Sequence, residues 1–175
     1  MSNLSNLLKV LILGDGAVGK TSSIHRFIEN KFSNTYAATI GVDILNTKVT
    51  TKNNEELNIN IWDLAGQAHF KSIRTKFYRG ASAAILVFDV TNKKTFENIT
   101  SWISEAKQFV SPEIPMILVA NKIDLDHLRE VDKTEIHKEM DMKSNIFSVF
   151  ETSALTGEGI EEVFQTMAEK LLSFK

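Results

Sequence analysis

Short apolar runs alternate with amphipathic segments along most of the chain. Four of these runs are almost continuously apolar, at Leu8–Leu13, Ala83–Phe88, Met116–Ala120 and Phe147–Phe150. Strands that helices cover on both faces have this composition. Because amphipathic segments separate the runs, the pattern predicts β-α-β units arranged around a parallel sheet.

The stretch from Val42 to Trp62 has a different pattern, in which apolar and polar residues alternate. Its second half places Leu57, Ile59 and Ile61 on one side of an extended chain and asparagines on the other. The polar residues at 52–55 have the character of a turn. We therefore predict a β-hairpin whose first strand forms an antiparallel edge of the sheet.

Two long segments have the spacing of amphipathic helices. Apolar residues recur every three or four positions from Phe96 to Val110 and again from Ile160 to Leu172, which predicts two helices whose apolar stripes pack in the core. The first helix is expected to follow Thr95 and to stop before Pro112. The fold class is therefore α/β.

Length and composition exclude several classes of protein. A chain of 175 residues is expected to form a single domain over its whole length. The 20 basic and 22 acidic residues give a net charge of −2, which argues against a protein that neutralises nucleic-acid phosphates. Without cysteine, the chain can form no disulfide and no thiolate metal site. The apolar runs are too short to cross a bilayer, and the amino terminus lacks the basic region of a signal peptide.

The segment Gly14–Thr21 carries the strongest chemical signal. It reads GDGAVGKT and matches G-x-x-x-x-G-K-[ST], a loop that surrounds a phosphate chain with backbone N–H groups. The glycines let the loop curl, and a helix beginning near Lys20 would add its positive amino-terminal end. Lys20 is predicted to contact the β- and γ-phosphates, and the Thr21 hydroxyl is predicted to bind Mg²⁺.

A second motif, NKID at 121–124, directly follows an apolar run. Guanine presents two adjacent donors, N1–H and the exocyclic N2–H₂, which the carboxylate of Asp124 could accept together. Adenine would leave that carboxylate desolvated and unpaired, and this penalty would reject it. Asn121 is expected to brace neighbouring loops and the stem of Lys122 to cover a face of the base. Open α/β sheets bind ligands at such strand ends.

A third motif, DLAGQ at 63–67, ends the second strand of the predicted hairpin. Asp63 is placed to hold the hydration shell of Mg²⁺. The Gly66 N–H could meet a γ-phosphate, and Gln67 could orient an attacking water. The predicted catalytic residues are therefore Gln67 and Lys20.

These motifs together resemble the small GTPases of the Ras superfamily, and specifically the Rab family. The resemblance covers residues 8–174 and includes, in order, GDGAVGKT, a single threonine at Thr39, WDLAGQ, NKID and ETSA. It implies a P-loop NTPase fold, a three-layer α/β/α domain. The sheet would be six-stranded and mostly parallel with one antiparallel edge strand, accompanied by about five helices.

The resemblance implies further roles for individual residues. Thr39 would complete the coordination of Mg²⁺ in the GTP state. Phe32 would pack against the guanine, Tyr36 would close over the phosphates, and Ala154 would meet the base carbonyl through its N–H. The same resemblance implies nucleotide contacts for Asp15, Gly16, Ala17, Val18, Gly19, Ser22, Ser153 and Leu155.

A protein of this kind would be a guanine-nucleotide switch in vesicle trafficking. Bound GTP would hold two loops, and hydrolysis to GDP would release them. An exchange factor, a GTPase-activating protein and effectors are expected to bind residues near 33–45 and 62–78. We expect a monomer with no nucleic-acid partner.

Intrinsic turnover is expected to be slow, because no positive charge is aimed at the transition state. The 18 residues between Lys20 and Thr39 are too few to form a helical domain that carries an arginine. We expect an arginine-supplying activator to accelerate hydrolysis by roughly 10³–10⁵-fold. Gly16 would leave room for that side chain.

The chain departs from the Rab pattern at several positions. Leu64, Ala68 and His69 stand where Rab proteins usually carry threonine, glutamate and arginine, so the resemblance does not imply which exchange factor or activator is recognised. Ile44 replaces an aromatic residue, and Leu155 replaces a lysine next to the base.

Rab proteins end in a flexible segment with prenylated cysteines, and the sequence printed here ends at Lys175. Either the protein works without a lipid or, as we expect, this chain is a trimmed form of a longer, lipidated protein. Such a protein would be cytoplasmic and would reach the cytosolic face of an intracellular membrane only through its tail.

Two other functions are compatible with parts of the sequence. A nucleoside or nucleotide kinase shares the phosphate loop, but it would need several arginines as a phosphoryl clamp, and the chain has only four. A pseudo-GTPase, which binds nucleotide without cycling, is favoured by Ala68 and His69. The argument against it is the presence of all four residues expected at the metal and the attacking water, namely Thr21, Thr39, Asp63 and Gln67.

Overall fold

The computed structural model describes residues 8–33, 37–141 and 145–174. Six strands in this part of the chain form one sheet. Their order across the sheet is second, third, first, fourth, fifth, sixth. The second strand pairs antiparallel with the third, and the other pairs are parallel, which confirms the predicted sheet. The strands are β1 (Leu8–Leu13), β2 (Val42–Thr50), β3 (Glu56–Leu64), β4 (Ala83–Asp89), β5 (Met116–Asn121) and β6 (Ile146–Thr152).

The hairpin of β2 and β3 has the register that the alternating pattern predicts. Leu45 lies opposite Ile61, and Ile61 is fully buried, whereas Asn58 on the other face is exposed. The turn is closed by a hydrogen bond of 2.9 Å from the N–H of Thr51 to the carbonyl of Glu55. Alternation along the chain thus places one apolar row in the core.

Six helices occur in the described residues, in agreement with the expected number of about five. One of them is a short helix between β3 and β4, flanked by 3₁₀ turns at 68–70 and 75–77. The helices are α1 (Lys20–Glu29), α2 (Lys71–Arg74), α3 (Lys93–Glu97), α4 (Ile99–Phe109), α5 (Lys133–Asp141) and α6 (Ile160–Leu172).

The predicted start of a helix after Thr95 is wrong. The helix begins at Lys93, because the side chain of Asn92 accepts a hydrogen bond from the N–H of Lys94 and caps it. The segment is divided into α3 and α4 at Asn98. The Thr95 hydroxyl instead lies inside α3 and binds the backbone of Asn92 at 2.8 Å.

The core consists of two apolar layers, one on each face of the sheet. Val10 and Ile12 of β1 pack with α1 and α6, whereas Leu11 and Leu13 pack with α4 and α5. This alternation along a buried strand produces the predicted three-layer architecture. None of the helices in the described ranges combines the length and apolar character needed to cross a bilayer. The carboxyl ends of the parallel strands meet at one edge of the sheet, where all the predicted motifs lie.

Candidate nucleotide site

The loop at 14–19 joins β1 to α1 and can be formed only with glycine at its ends. Gly14 and Gly19 have φ values of 147° and 101°, which L-residues with side chains rarely adopt. A Cβ at Gly19 would lie 2.2 Å from Nδ2 of Asn121, and one at Gly14 would lie 2.1 Å from the carbonyl oxygen of Val87. The loop is therefore packed tightly against β4 and β5.

Lys20 is the first residue of α1, and its ammonium lies inside the curl of the loop. Nζ donates to the carbonyl oxygens of Gly14 at 2.8 Å and Asp15 at 2.7 Å. Burial lowers the pKa of Lys20 to about 8, although the nearby carboxylates of Asp63 and Asp15 act in the opposite direction. The site thus holds a desolvated cation, the group that a phosphate chain would stabilise.

Asn121 ends β5 and fastens three segments of the site together. Its Nδ2 donates to the carbonyl of Val18 at 2.9 Å. Its Oδ1 accepts from the hydroxyl of Thr152 at 3.0 Å and from the N–H of Ala154 at 3.2 Å. The Ala154 N–H, which the resemblance assigns to the base carbonyl, is therefore bonded to Asn121 in this structure.

The carboxylate of Asp124 is held in place from a neighbouring loop. The hydroxyl of Ser153 donates to Oδ1 of Asp124 at 2.6 Å. Arg26 of α1 anchors the same loop, since its Nε donates to the carbonyl of Ala154 at 2.8 Å and its Nη2 donates to that of Leu155 at 2.6 Å. These bonds fix the direction in which Asp124 can accept hydrogen bonds.

Lys122 lies between the two motif residues and has a left-handed backbone with φ 71°. Its ammonium forms an ion pair of 2.6 Å with Asp89 at the end of β4. This ion pair fixes the position of the ammonium, and Lys122 lines the cavity described below.

Three oxygen-bearing side chains meet beside Lys20. The hydroxyls of Thr21 and Thr39 lie 3.1 Å apart, and both approach Oδ2 of Asp63. Asp63 is fully buried, and its Oδ1 has no hydrogen-bond partner in the described structure. Burial raises the pKa of Asp63, while the Thr21 hydroxyl and the charge of Lys20 oppose that shift.

This cluster fits Mg²⁺. Adjacent ligands of an octahedral Mg²⁺ with bonds of about 2.1 Å lie about 3.0 Å apart, close to the separation of the Thr21 and Thr39 hydroxyls. A buried carboxylate oxygen without a partner is costly, and a hydrated cation near Oδ1 of Asp63 would remove that cost. The donors are all oxygen, as Mg²⁺ prefers.

The segment at 65–67 packs directly against the phosphate loop. A Cβ at Gly66 would lie 2.3 Å from the carbonyl oxygen of Gly14 and 2.5 Å from the carbonyl carbon of Asp15. The N–H of Ala65 donates to the carbonyl of Gly41 at 3.0 Å, so this segment also contacts the chain next to Thr39. Only a residue without a side chain permits the approach at position 66.

One cavity of about 750 Å³ connects these elements, a volume typical of small-molecule sites. Asp15, Val18, Asp63 and Ser153 lie outside its lining and support residues that line it, and Tyr36 falls outside the described residues. The predicted residues that line the cavity are Gly16, Ala17, Gly19, Lys20, Thr21, Ser22, Phe32, Thr39, Gly66, Gln67, Asn121, Lys122, Asp124, Ala154 and Leu155.

Sequence reasoning missed several lining residues. His25 and Glu29 lie one helical turn apart on α1, 3.5 Å from Nδ1 to Oε1, and their spacing from Ser22 along a helix could have identified them. Others come from irregular segments, for which no sequence pattern fixes the direction of a side chain. These additional lining residues are Lys31, Ser33, Ala37, Ala38 and Leu125.

Known proteins are similar in sequence to this chain over most of its length. The family model described as Ras family matches residues 9–173. The Ras-related protein Rab-4 of Dictyostelium discoideum is 42% identical over 90% of this chain and 76% of its own length. The Ypt/Rab-type GTPase YPT7 of Saccharomyces cerevisiae is 39% identical over 98% of this chain and 84% of its own. The Ras-related protein Rab-4B of Homo sapiens is 40% identical over 95% of this chain and 77% of its own length.

Proposed function

Because the chain belongs to the Ras family and, within it, to the Rab proteins, we propose that it is a guanine-nucleotide switch that binds GTP and GDP with Mg²⁺ and slowly hydrolyses GTP. The observation that carries the proposal is a single cavity lined by both Lys20 and Asp124. The first residue suits a phosphate chain, and the second suits a base with two adjacent donors.

Guanine selection would rest on Asp124. Its carboxylate would accept from N1–H and from the exocyclic N2–H₂ of guanine, while Ser153 holds Oδ1 and thereby sets the plane of the group. Adenine offers an acceptor at N1, so binding it would desolvate the carboxylate without a hydrogen bond in return. A site built in this way discriminates strongly against the wrong base.

Phosphate binding would use the curled loop and Lys20. Backbone N–H groups at 15–21 would donate to the α- and β-phosphates, and the ammonium of Lys20 would bridge the β- and γ-phosphates. Thr21, Thr39 and Asp63 are the residues that would hold Mg²⁺, which neutralises charge on the phosphate oxygens when it is bound. The pKa of Lys20 would rise on binding, because the phosphates stabilise its charged form.

Hydrolysis would depend on the segment that carries Gly66 and Gln67. The Gly66 N–H would donate to the γ-phosphate, and the Gln67 amide would orient the attacking water, both from a segment packed on the phosphate loop. Among the described residues that line the cavity there is no arginine. Turnover would therefore be slow until an activator supplies a positive charge, which accelerates related reactions by roughly 10³–10⁵-fold.

Partner binding would follow the nucleotide state through two segments that carry exposed isoleucines. Ile40 is 83% exposed and lies next to Thr39, while Ile44 on β2 and Ile73 on α2 are also exposed. Segments whose contacts depend on the γ-phosphate would change on hydrolysis, and so would the surface they offer to a partner. Exchange factors, activators and effectors would bind here, near 33–45 and 62–78. The cellular role would be in vesicle trafficking at the cytosolic face of an intracellular membrane.

Single-turnover hydrolysis tests this function. Purified protein loaded with GTP should form GDP slowly, and a Rab-type activating protein should accelerate the reaction at least 10³-fold. A Gln67→Leu variant should bind GTP normally and lose both the basal and the stimulated reaction. Fast hydrolysis by the unaided protein would contradict the proposal. Binding without hydrolysis or exchange under either condition would favour the pseudo-GTPase instead.

A further inference from the structure

One face of α4 contacts both the phosphate loop and the segment that follows Gly66. At its start, Nδ2 of Asn98 donates to Oδ2 of Asp15 at 2.7 Å. One turn later, Nε1 of Trp102 donates to Oδ1 of the same carboxylate at 2.8 Å. Asp15 therefore does not point into the cavity, and its carboxylate ties the phosphate loop to α4.

The next turn of α4 carries Glu105, which is buried and binds Arg74 of α2 with both oxygens. The distances are 2.8 Å from Nε to Oε1 and 3.1 Å from Nη2 to Oε2, and Arg74 is only 4% exposed. The hydroxyl of Tyr78 donates to Oε1 at 2.7 Å. The guanidinium also stacks on the ring of Trp102, with Cζ 4.2 Å from the ring centroid. Arg74 is thus fixed in one orientation.

That orientation leaves one nitrogen of Arg74 facing the segment at 65–67. Nη1 donates to the carbonyl of Gln67 at 3.0 Å and, with a longer bond of 3.4 Å, to that of Ala65. The two carbonyls flank Gly66, whose backbone lies against Gly14. The rigid, planar guanidinium of arginine can bind a carboxylate along one edge and two carbonyls along another. The compact ammonium of lysine cannot bind both sets of acceptors in this way.

We propose that Arg74 is a positioning residue for GTP hydrolysis, which holds the 65–67 segment against the phosphate loop while Glu105 and Trp102 anchor it to α4. The inference rests on the proposed function. In this arrangement α4 holds the phosphate loop through Asp15 and holds the 65–67 segment through Arg74. The helix therefore sets the distance between the phosphate loop and the residues that would meet the γ-phosphate. Arg74 itself does not touch the nucleotide.

The consequence should differ between GTP and GDP. A ligand shifts a conformational equilibrium only through its differential affinity for the two states. GTP would bind best when Gly66 is in place, whereas GDP has no γ-phosphate to reach it. Weakening the anchor lowers the fraction of protein with the segment in place, both in the free protein and with GTP bound, so the affinity for GTP and the rate of hydrolysis both fall. The affinity for GDP should not change.

The test variant is Arg74→Lys, which retains the positive charge beside Glu105. The dissociation constants of GDP and of a non-hydrolysable GTP analogue are measured with Mg²⁺, together with the single-turnover rate at saturating GTP and the melting temperature. Hydrogen bonds to charged groups have energies that correspond to about a tenfold effect or more. We expect the affinity for the analogue and the rate each to fall about tenfold, with GDP affinity within twofold of wild type.

The matched control is Arg129→Lys, because Arg129 also pairs with two carboxylates, Asp126 at 2.6 Å and Glu151 at 2.8 Å, and does not line the cavity. It should leave both affinities and the rate unchanged. If Arg74→Lys does not fold, Glu105→Gln serves as the second variant, because it weakens the anchor without emptying the site. Glu105→Gln should likewise lower the affinity for the GTP analogue and the rate of hydrolysis, while the affinity for GDP stays unchanged.

The inference is overturned if Arg74→Lys retains the wild-type rate and analogue affinity, or if the affinities for GDP and the analogue fall equally. The failure of the proposed function would be recognised earlier. In that case the wild-type protein itself would not bind guanine nucleotides or would not hydrolyse GTP.

Discussion

The hydroxyl of Ser153 donates to Oδ1 of Asp124 across 2.6 Å, and 29 residues separate them in the chain. The residue that would choose the base is thus oriented by a residue at the end of a different strand. Hydrogen bonds of this length to a carboxylate are among the stronger ones in proteins. Base recognition by Asp124 would therefore depend also on the pairing of β5 with β6.

Ser153→Ala tests this dependence. The variant frees the carboxylate to rotate, so the affinities for GTP and GDP should fall equally, by about tenfold. The ratio of the affinity for GTP to the affinity for ATP should decrease. Isothermal titration of each nucleotide measures both quantities. Ser173→Ala, which removes an exposed hydroxyl bonded to the carbonyl of Lys170, is the control and should change neither. Unchanged affinities in Ser153→Ala would show that Asp124 needs no support.

Gly66→Ala should separate binding from hydrolysis. The added methyl would lie 2.3 Å from the carbonyl oxygen of Gly14, so the segment must move away from the phosphate loop. Displacement of a catalytic group by about 1 Å can cost about 10²-fold in rate. We expect single-turnover hydrolysis to fall by that amount and GDP affinity to stay within threefold of wild type. A rate close to wild type would mean that the segment moves without affecting the reaction.

Nucleotide binding should take up protons in mildly alkaline solution. Burial lowers the pKa of Lys20 in the free protein to about 8, so its ammonium is increasingly lost above that pH, while bound phosphates would restore it. Calorimetry of GDP binding in buffers of different ionisation enthalpy should show greater proton uptake at pH 8.5 than at pH 7.5. Affinity should weaken over the same range. Equal uptake at the two pH values would contradict this role of Lys20.

Thr39→Ala should alter the response to Mg²⁺ only with GTP. The variant removes a hydroxyl that lies 3.1 Å from that of Thr21 and that would join the cation in the GTP state. We expect the Mg²⁺ concentration for half-maximal binding of a GTP analogue to rise about tenfold, while that for GDP stays unchanged. With chelator present, wild type and variant should bind alike. Equal shifts for both nucleotides would place Thr39 at the metal regardless of the γ-phosphate.

Much of the fold could be predicted, because a strand that is buried on both faces of a sheet needs a nearly continuous run of apolar residues. The run Ala83–Phe88 became β4, extended by one residue to Asp89, and the alternation after residue 55 became β3. Helix boundaries depend on finer chemistry. The side chain of Asn92, rather than the position of Thr95, determines where α3 begins.

The segment at 68–77 was not predicted, and tertiary contacts explain why. Its helix α2 is only four residues long and lacks a repeating apolar pattern. It is held by Arg74, whose partner Glu105 lies 31 residues away on another helix. For the same reason the sequence identified Gln67 as a candidate but gave no sign of the guanidinium that binds its carbonyl. A motif can reveal a supporting residue within it, as it did for Asn121, whereas Arg74 belongs to no motif and could be recognised as a support only in the fold.

The most direct test of the central claim is a comparison of GTP and ATP affinities, measured with Mg²⁺ on nucleotide-free protein and on its Asp124→Ala variant. Sites that recognise a base through buried hydrogen bonds discriminate by about 10⁴-fold or more. We expect GTP to bind wild type at least that much more tightly than ATP, and the variant to lose most of the difference through weaker GTP binding. Equal affinities in the wild-type protein, or a preference for ATP, would contradict the account.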